Sequence, residues 1–351
     1  MLYGTQNPHG GDVYGAGIRL DFSSNINPLG APPGVYEALT AAAELARQYP
    51  DPYCRALTAA IAAHEAVPAA YVLCGAGAAE LIYAYCDALR PARAAVLSPS
   101  FLEYAAAAAH FGAQRINLPL HAPDFTPDAS LLPRIAQERP DALFLCTPNN
   151  PTGRTIPRAL LEDILALCET QGTRVLLDEC FLDFTEQASA KDLLSRYRDL
   201  LILKAFTKNY ALAGVRAGYC LTADAGLLAK MAAASQPWNV SVFAQAAGAA
   251  ALQTPGWMAR TRAWLAPERA FLLDGLRACG FSVCPSEANY VLFSGPEGLA
   301  RALLRLGIAI RDCANYPGLG PGWYRVAVRL RAENEALLDA MRRVTEEETW
   351  R

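Results

Sequence analysis

Histidine and methionine are scarce, at four each in 351 residues, and neither sign of charge is in excess: 31 Lys and Arg face 34 Asp and Glu, for a net charge of −3. Such a balance leaves no broad basic face, so no nucleic-acid partner is expected; a local basic pocket for a small anion remains compatible with it. His9, His64, His110 and His121 lack metal-ligand spacing, and the ten cysteines include no Cys-x-x-Cys pair. Neither a metal centre nor a disulfide framework is expected, and the cysteines read as reduced core thiols of a cytoplasmic protein. Long apolar runs are missing too. The longest candidate, Val240 to Leu252, contains Gln245 and falls short of the ~18 residues a spanning helix needs. The slightly positive mean hydropathy, +0.12, comes from alanine, and no membrane partner is expected. Residues 1–8 show no basic stretch followed by an apolar one, so no secretory leader is expected. What the chain has is apolar material, 53% against 19% charged residues, enough for a large core.

Short apolar runs alternate with helical stretches between about residues 71 and 231. They include Tyr71-Val72-Leu73-Cys74, Ala142-Leu143-Phe144-Leu145-Cys146, Arg174-Val175-Leu176-Leu177-Asp178 and Leu200-Leu201-Ile202-Leu203. Continuous apolar strands between helices predict a mostly parallel sheet covered on both faces, the doubly wound α/β class. Residues 1–33 are rich in Gly, Pro and Asn and read as an irregular arm. Residues 241–277 are helical, with kinks or breaks expected at Pro255 and Pro267. After Gly280 the pattern is that of a small α+β module. The expected division is 1–40 (arm and part of a small domain), 41–245 (large domain) and 246–351 (small domain). A site is expected between the domains, at the carboxyl ends of the parallel strands.

Four segments sit just after predicted strands. Gly75-Ala76-Gly77-Ala78-Ala79-Glu80 serves as a tight turn or as a backbone cradle for an anion at a helix start; it is not a Walker loop, because no Gly-Lys-Ser/Thr follows. Thr147-Pro148-Asn149-Asn150-Pro151-Thr152-Gly153 is a run of turn-formers, or a pair of amides offered to a ligand. Asp178-Glu179 ends a buried run, where a carboxylate needs a partner. Lys204 to Arg216 carries Thr207, Lys208 and Arg216; taken alone, Lys208 reads as a solvated loop lysine. Together these segments offer a carboxylate for a pyridine nitrogen, an amide for a phenolic oxygen, donors for a phosphate and a lysine for an aldehyde. Those are the requirements of pyridoxal 5'-phosphate, an electron sink.

On these residues the whole chain resembles the fold-type I pyridoxal-phosphate enzymes, closest to the branch that holds histidinol-phosphate aminotransferases and threonine-phosphate decarboxylases. The resemblance implies a large doubly wound α/β domain with a mostly parallel sheet and a small α+β domain. It makes Lys208 the Schiff-base lysine, pairs Asp178 with the pyridine nitrogen and sets Asn150 on the ring hydroxyl. It assigns Ala76, Gly77, Thr207 and Arg216 to the cofactor phosphate. Phe101, in Ser98-Pro99-Ser100-Phe101, would stack on the ring. Tyr49, in Arg47-Gln48-Tyr49-Pro50-Asp51-Pro52, would reach the cofactor phosphate of a partner subunit, which implies a homodimer with shared sites.

His9-Gly10-Gly11, Asp21-Phe22-Ser23-Ser24-Asn25-Ile26-Asn27-Pro28-Leu29-Gly30 and Gln236-Pro237-Trp238-Asn239-Val240 are similar to the threonine-phosphate decarboxylases, as is Tyr324-Arg325-Val326-Ala327-Val328-Arg329. In that resemblance His9 closes over the substrate phosphate, and Gly10, Asn27 and Asn150 also contact the substrate. Phe181 stands where related aminotransferases usually carry Tyr. Arg311 and Arg325 are the expected anion handles, Arg325 for a carboxylate and Arg311 with His9 for a phosphate; the alternative for each is a surface ion pair. Arg329 is a weaker candidate. The expected activity is decarboxylation of O-phospho-L-threonine to (R)-1-aminopropan-2-yl phosphate, a step of cobalamin biosynthesis, or of O-phospho-L-serine to ethanolamine phosphate. The rivals are histidinol-phosphate aminotransferase and a cofactor-binding regulator. The regulator would need a DNA-binding region, for which no room is seen before residue 20.

Overall fold

A computed structural model describes residues 8–14 and 17–346. The opening residues 1–7, on which much of the leader reading rests, lie outside the described residues. A seven-stranded sheet forms the centre. Its order is Val72–Gly75, Gly218–Leu221, Leu200–Ala205, Arg174–Asp178, Ala142–Cys146, Arg93–Ser98 and Gln114–Pro119. The last five of these run parallel to one another. Residues alternate between two cores along each strand. Phe144, Leu176 and Leu203 join Leu81, Tyr85 and Tyr104 on one face, while Leu143, Leu177 and Ile202 join Leu57 and Ile164 on the other. A sheet buried on both faces explains why these strands read as unbroken apolar runs.

Strand Gly218–Leu221 is the exception. It pairs antiparallel with both of its neighbours. It therefore enters the sheet at the edge where the other strands end, and this brings Arg216, two residues before it, to that edge.

A four-stranded antiparallel sheet follows, ordered Arg311–Asp312, Trp323–Ala327, Tyr290–Ser294 and Ser282–Val283. Leu20–Asp21 pairs parallel with Ile308–Ala309, which ties the start of the chain to its C-terminal third. Elements without a counterpart in the sequence reading include the strand Leu20–Asp21, inside the stretch read as an irregular arm, the edge strand Gln114–Pro119 and the helices Gly34–Ala42, Arg55–Glu65 and Leu131–Glu138. Pro255 lies in the break between helices Val242–Ala251 and Trp257–Ala278, but Pro267 lies inside the second. Leu265, Leu272 and Leu276 bury that helix on the core, which offsets the roughly 3 kcal/mol that an internal proline costs. Among the described residues no helix is long and apolar enough to cross a membrane.

Candidate active site

A cavity of about 240 Å³ opens where the parallel strands end, walled by the arm, the large sheet and the small sheet. Lys208, Asp178, Asn150, Thr207, Arg216 and Phe101 all line it. Each lies at or just past one end of the central sheet, as the strand order requires: Asp178 ends its own strand, Asn150 follows Cys146, Phe101 follows Ser98, and Thr207 and Lys208 follow Ala205.

Burial, with the positive charges of Arg325 and Arg216 nearby, lowers the Lys208 ammonium from 10.5 to about 8. Its backbone is pinned, because its carbonyl accepts a bond from Asn27 N at 3.0 Å. Burial raises Asp178, while hydrogen bonds work against that shift. Tyr104 Oη donates to Asp178 Oδ2 at 2.6 Å, and Cys180 N donates to Oδ1 at 2.8 Å. Each carboxylate oxygen keeps a second lone pair for a ligand donor.

The anion seat differs from the sequence reading. Ala76 N donates to the Glu80 carboxylate, and Gly77 N donates to Gly75 O at 2.8 Å. Both amides are thus engaged within the chain. Ala78 and Ala79, which open helix Ala78–Leu89, line the cavity instead. A helix start favours an anion through its unpaired N–H groups and its dipole. Gly77 contributes by being small: at φ +92° a Cβ there would stand 2.7 Å from Arg216 Nη2. Arg216 itself adopts φ +62°, a conformation a non-glycine residue holds at some cost, and its Nη1 donates to Ala213 O at 3.1 Å.

Arg311 and Arg325 are cross-strand partners in the small sheet, both buried and both facing the cavity. Arg325 donates to Asn150 Oδ1 and, at 2.6 Å, to Ser23 O, while its Nε has no partner among the described residues. Arg311 donates to Pro8 O at 2.5 Å and to Asn315 Oδ1 at 2.7 Å, and sits over the Tyr316 ring. His9 and Gly10 line the cavity as well. His9 Nε2 pairs with Glu103 Oε1 at 2.6 Å, and its ring lies 5.6 Å from that of Phe101. The arm is seated through Ser23, whose Oγ accepts from Gly11 N at 2.8 Å and donates to Asp21 Oδ1 at 2.6 Å. A Cβ on Gly10 would meet Ser23 O at 2.6 Å, so only glycine fits there.

Besides Ala76 and Gly77, three further candidates are not brought to the cavity wall. Asn27 is buried, with its amide donating to Asn209 O at 2.9 Å and Thr261 Oγ1 at 3.1 Å; it holds the arm to the Lys208 loop. Its neighbour Asn25 lines the cavity in its place. Tyr49 is 78% exposed and stacks on Trp238, with ring centroids 4.6 Å apart, outside the cavity of its own chain. Arg329 lies beyond strand Trp323–Ala327 and pairs with Glu333 at 2.7 Å. Sequence reasoning missed Tyr104 and Glu103. The signal available was their spacing behind Phe101, within the first turn of helix Leu102–His110.

The residues fit pyridoxal 5'-phosphate. One wall holds a lysine of lowered pKa, a buried carboxylate, an aromatic ring and an anion seat whose close approach depends on a glycine. The comparisons agree with this geometry. Residues 18–341 match the family described as aminotransferase class I and II, and the chain belongs to that family. It is 38% identical to a threonine-phosphate decarboxylase of Salmonella typhimurium, over 96% of each chain. It is 36% identical to a histidinol-phosphate aminotransferase of Anaeromyxobacter sp., over 94% of this chain and 92% of the other. Among solved structures, the histidinol-phosphate aminotransferase of Clostridium acetobutylicum superposes with a TM-score of 0.87 at 28% identity, covering 93% of this chain and 99% of that one. The protein is thus a fold-type I enzyme of the aminotransferase family, with pyridoxal 5'-phosphate as its cofactor.

Proposed function

We propose that this protein is a cytoplasmic, homodimeric decarboxylase of O-phospho-L-threonine that forms (R)-1-aminopropan-2-yl phosphate for cobalamin biosynthesis, with O-phospho-L-serine as a second substrate. The observation that carries the reading is the pair Arg311 and Arg325, buried side by side on one cavity wall. Two buried guanidinium groups call for a ligand with two anionic ends, and a phosphorylated amino acid has them. The 38% identity to a threonine-phosphate decarboxylase supports the same choice.

The bound cofactor would withdraw electrons from the substrate's α-carbon. Lys208 would hold the cofactor until the substrate amine takes its place, and its Nζ or a water would then return a proton to that carbon. Asp178 would accept a hydrogen bond from the protonated ring nitrogen. Arg325, fixed by Asn150 and Ser23, would grip the carboxylate and orient the bond to be broken. Arg311 and His9 would hold the phosphate, with the arm excluding water. Phe181, buried on the cavity wall with its ring edge-on to Tyr290, brings no phenol to the ring hydroxyl, unlike the Tyr expected in related aminotransferases.

The 36% identity to a histidinol-phosphate aminotransferase supports the rival, amino-group transfer. Product analysis with phosphothreonine, phosphoserine and histidinol phosphate separates the two. Release of CO2 with the amino phosphate is expected from phosphothreonine. An oxo product with amino-group transfer, and no CO2, overturns the proposal.

A further inference from the structure

Tyr104 belongs to no segment that the function above has used. Its side chain is fully buried at the cavity wall, and its hydroxyl meets Asp178 Oδ2 at 2.6 Å. That length falls in the range of hydroxyl-to-carboxylate bonds, about 2.5–2.7 Å, rather than that of neutral pairs. The ring is clamped between Phe144, stacked at 5.7 Å, and Phe101, edge-on at 5.5 Å. Phe101 and Tyr104 lie three residues apart at the start of helix Leu102–His110, so one helical turn supplies both the ring that faces the cavity and the phenol that reaches Asp178. On the other side, Cys180 N fixes Oδ1 at 2.8 Å. Among the described residues no cation is hydrogen-bonded to Asp178, so the two donors are what hold its charge in an apolar setting.

We infer that Tyr104 is a positioning residue that keeps Asp178 ionised and aimed at the cofactor's ring nitrogen. The inference rests on the assignment of Asp178 to that nitrogen. Without the phenol, the Asp178 carboxyl would be stabilised as the neutral acid and would have one less bond to set its plane. The cofactor would then lose a charged hydrogen-bond partner, and its ring nitrogen would lose its proton more easily.

The test is a double-mutant cycle on full-length protein, with Tyr104→Phe, Asp178→Asn and the double variant. Two quantities are read: the cofactor dissociation constant of the apoenzyme, and the pH midpoint of the bound cofactor's visible absorbance. Tyr104→Phe is expected to weaken cofactor binding by about 10-fold or more, the scale of one hydrogen bond to a charged group, and to move the absorbance midpoint. In the Asp178→Asn background the same change should have almost no effect. An equal effect in both backgrounds would mark a packing role and overturn the inference, as would an unmoved midpoint. Should Asp178→Asn itself leave binding and absorbance unchanged, the assignment of Asp178 fails as well. Replacing Tyr104 with a fluorinated tyrosine keeps the fold and makes the phenol more acidic. It must shift the same midpoint, and an unshifted midpoint would overturn the inference even where Tyr104→Phe does not fold.

Discussion

At the residue scale, the sharpest consequence of the site is the state of Lys208. A lysine must be neutral to bond an aldehyde, and with a value of about 8 roughly a tenth of it is neutral at pH 7. An ordinary lysine near 10.5 would offer far less. Reconstitution of the apoenzyme with cofactor should therefore accelerate about tenfold per pH unit and level off near pH 8. Stopped-flow absorbance against pH measures this, and a rate still climbing steadily towards pH 10 would contradict it. Lys208→Ala should abolish turnover at every pH. The residue's chemistry was legible as a lysine just past an apolar strand, whereas the cause of its lowered value was not. Arg325 acts on Lys208 across 117 positions of sequence, and no local pattern records that proximity. The phosphate seat shows a related limit. Gly75-Ala76-Gly77-Ala78-Ala79 contains no polar side chain, so only backbone geometry shows that Ala78 and Ala79, rather than Ala76 and Gly77, face the cavity.

At the element scale, helix Arg55–Glu65 is joined to the central sheet by a buried charge cluster. Glu65 accepts from Lys204 Nζ at 2.9 Å, from Lys191 Nζ at 2.9 Å and from Tyr219 Oη at 2.5 Å. Burial alone would raise Glu65, but Lys204, the Tyr219 bond and Lys191 more than reverse that and hold it at about 2 instead of 4.5. A carboxyl lowered on folding stabilises above its unfolded value and loses that contribution as the pH falls through its folded value. Glu65→Gln leaves Lys204 buried with less compensation, and should cost about 3–5 kcal/mol at pH 7. Denaturant midpoints at pH 7 and pH 3 check this: the gap from the parent protein should narrow at the lower pH, and an equal gap at both would contradict the charge argument. In the sequence this element was invisible. Arg55–Glu65 is alanine-rich, and its one buried acid looks like part of a solvated face until Lys204 and Tyr219 arrive from distant strands. The parallel strands were readable because burial on both faces makes them continuously apolar. The edge strand Gln114–Pro119 was not, because its exposed positions are polar.

At the scale of the whole molecule, a net charge of −3 conceals a cavity that gathers Lys208, Arg216, Arg311 and Arg325. Focused positive potential in a cleft, rather than the overall charge, draws in a dianionic ligand. A second whole-molecule feature is the exposed aromatic face formed by Tyr36, Tyr49, Tyr53, Trp238 and Phe243. It spans helices Gly34–Ala42 and Val242–Ala251, which pack together, and the loop between residues 48 and 54, which Gln245 ties down through Asp51 O at 2.9 Å. Exposed aromatics grouped on packed elements in this way suit a twofold interface. Seated there, Tyr49 could serve only a neighbour's cavity, since it stands outside its own. If the cofactor phosphate is shared in this way, Tyr49→Ala and Lys208→Ala damage the same site from opposite subunits. Each variant alone should turn over poorly at limiting cofactor. Mixed and allowed to exchange, they form hybrids with one intact site and one carrying both defects. Random pairing in an equal mixture should therefore restore about a quarter of the wild-type sites. Differently tagged subunits allow the hybrids to be isolated and their cofactor content and turnover measured. Hybrids that form but recover nothing would show that Tyr49 acts within its own chain.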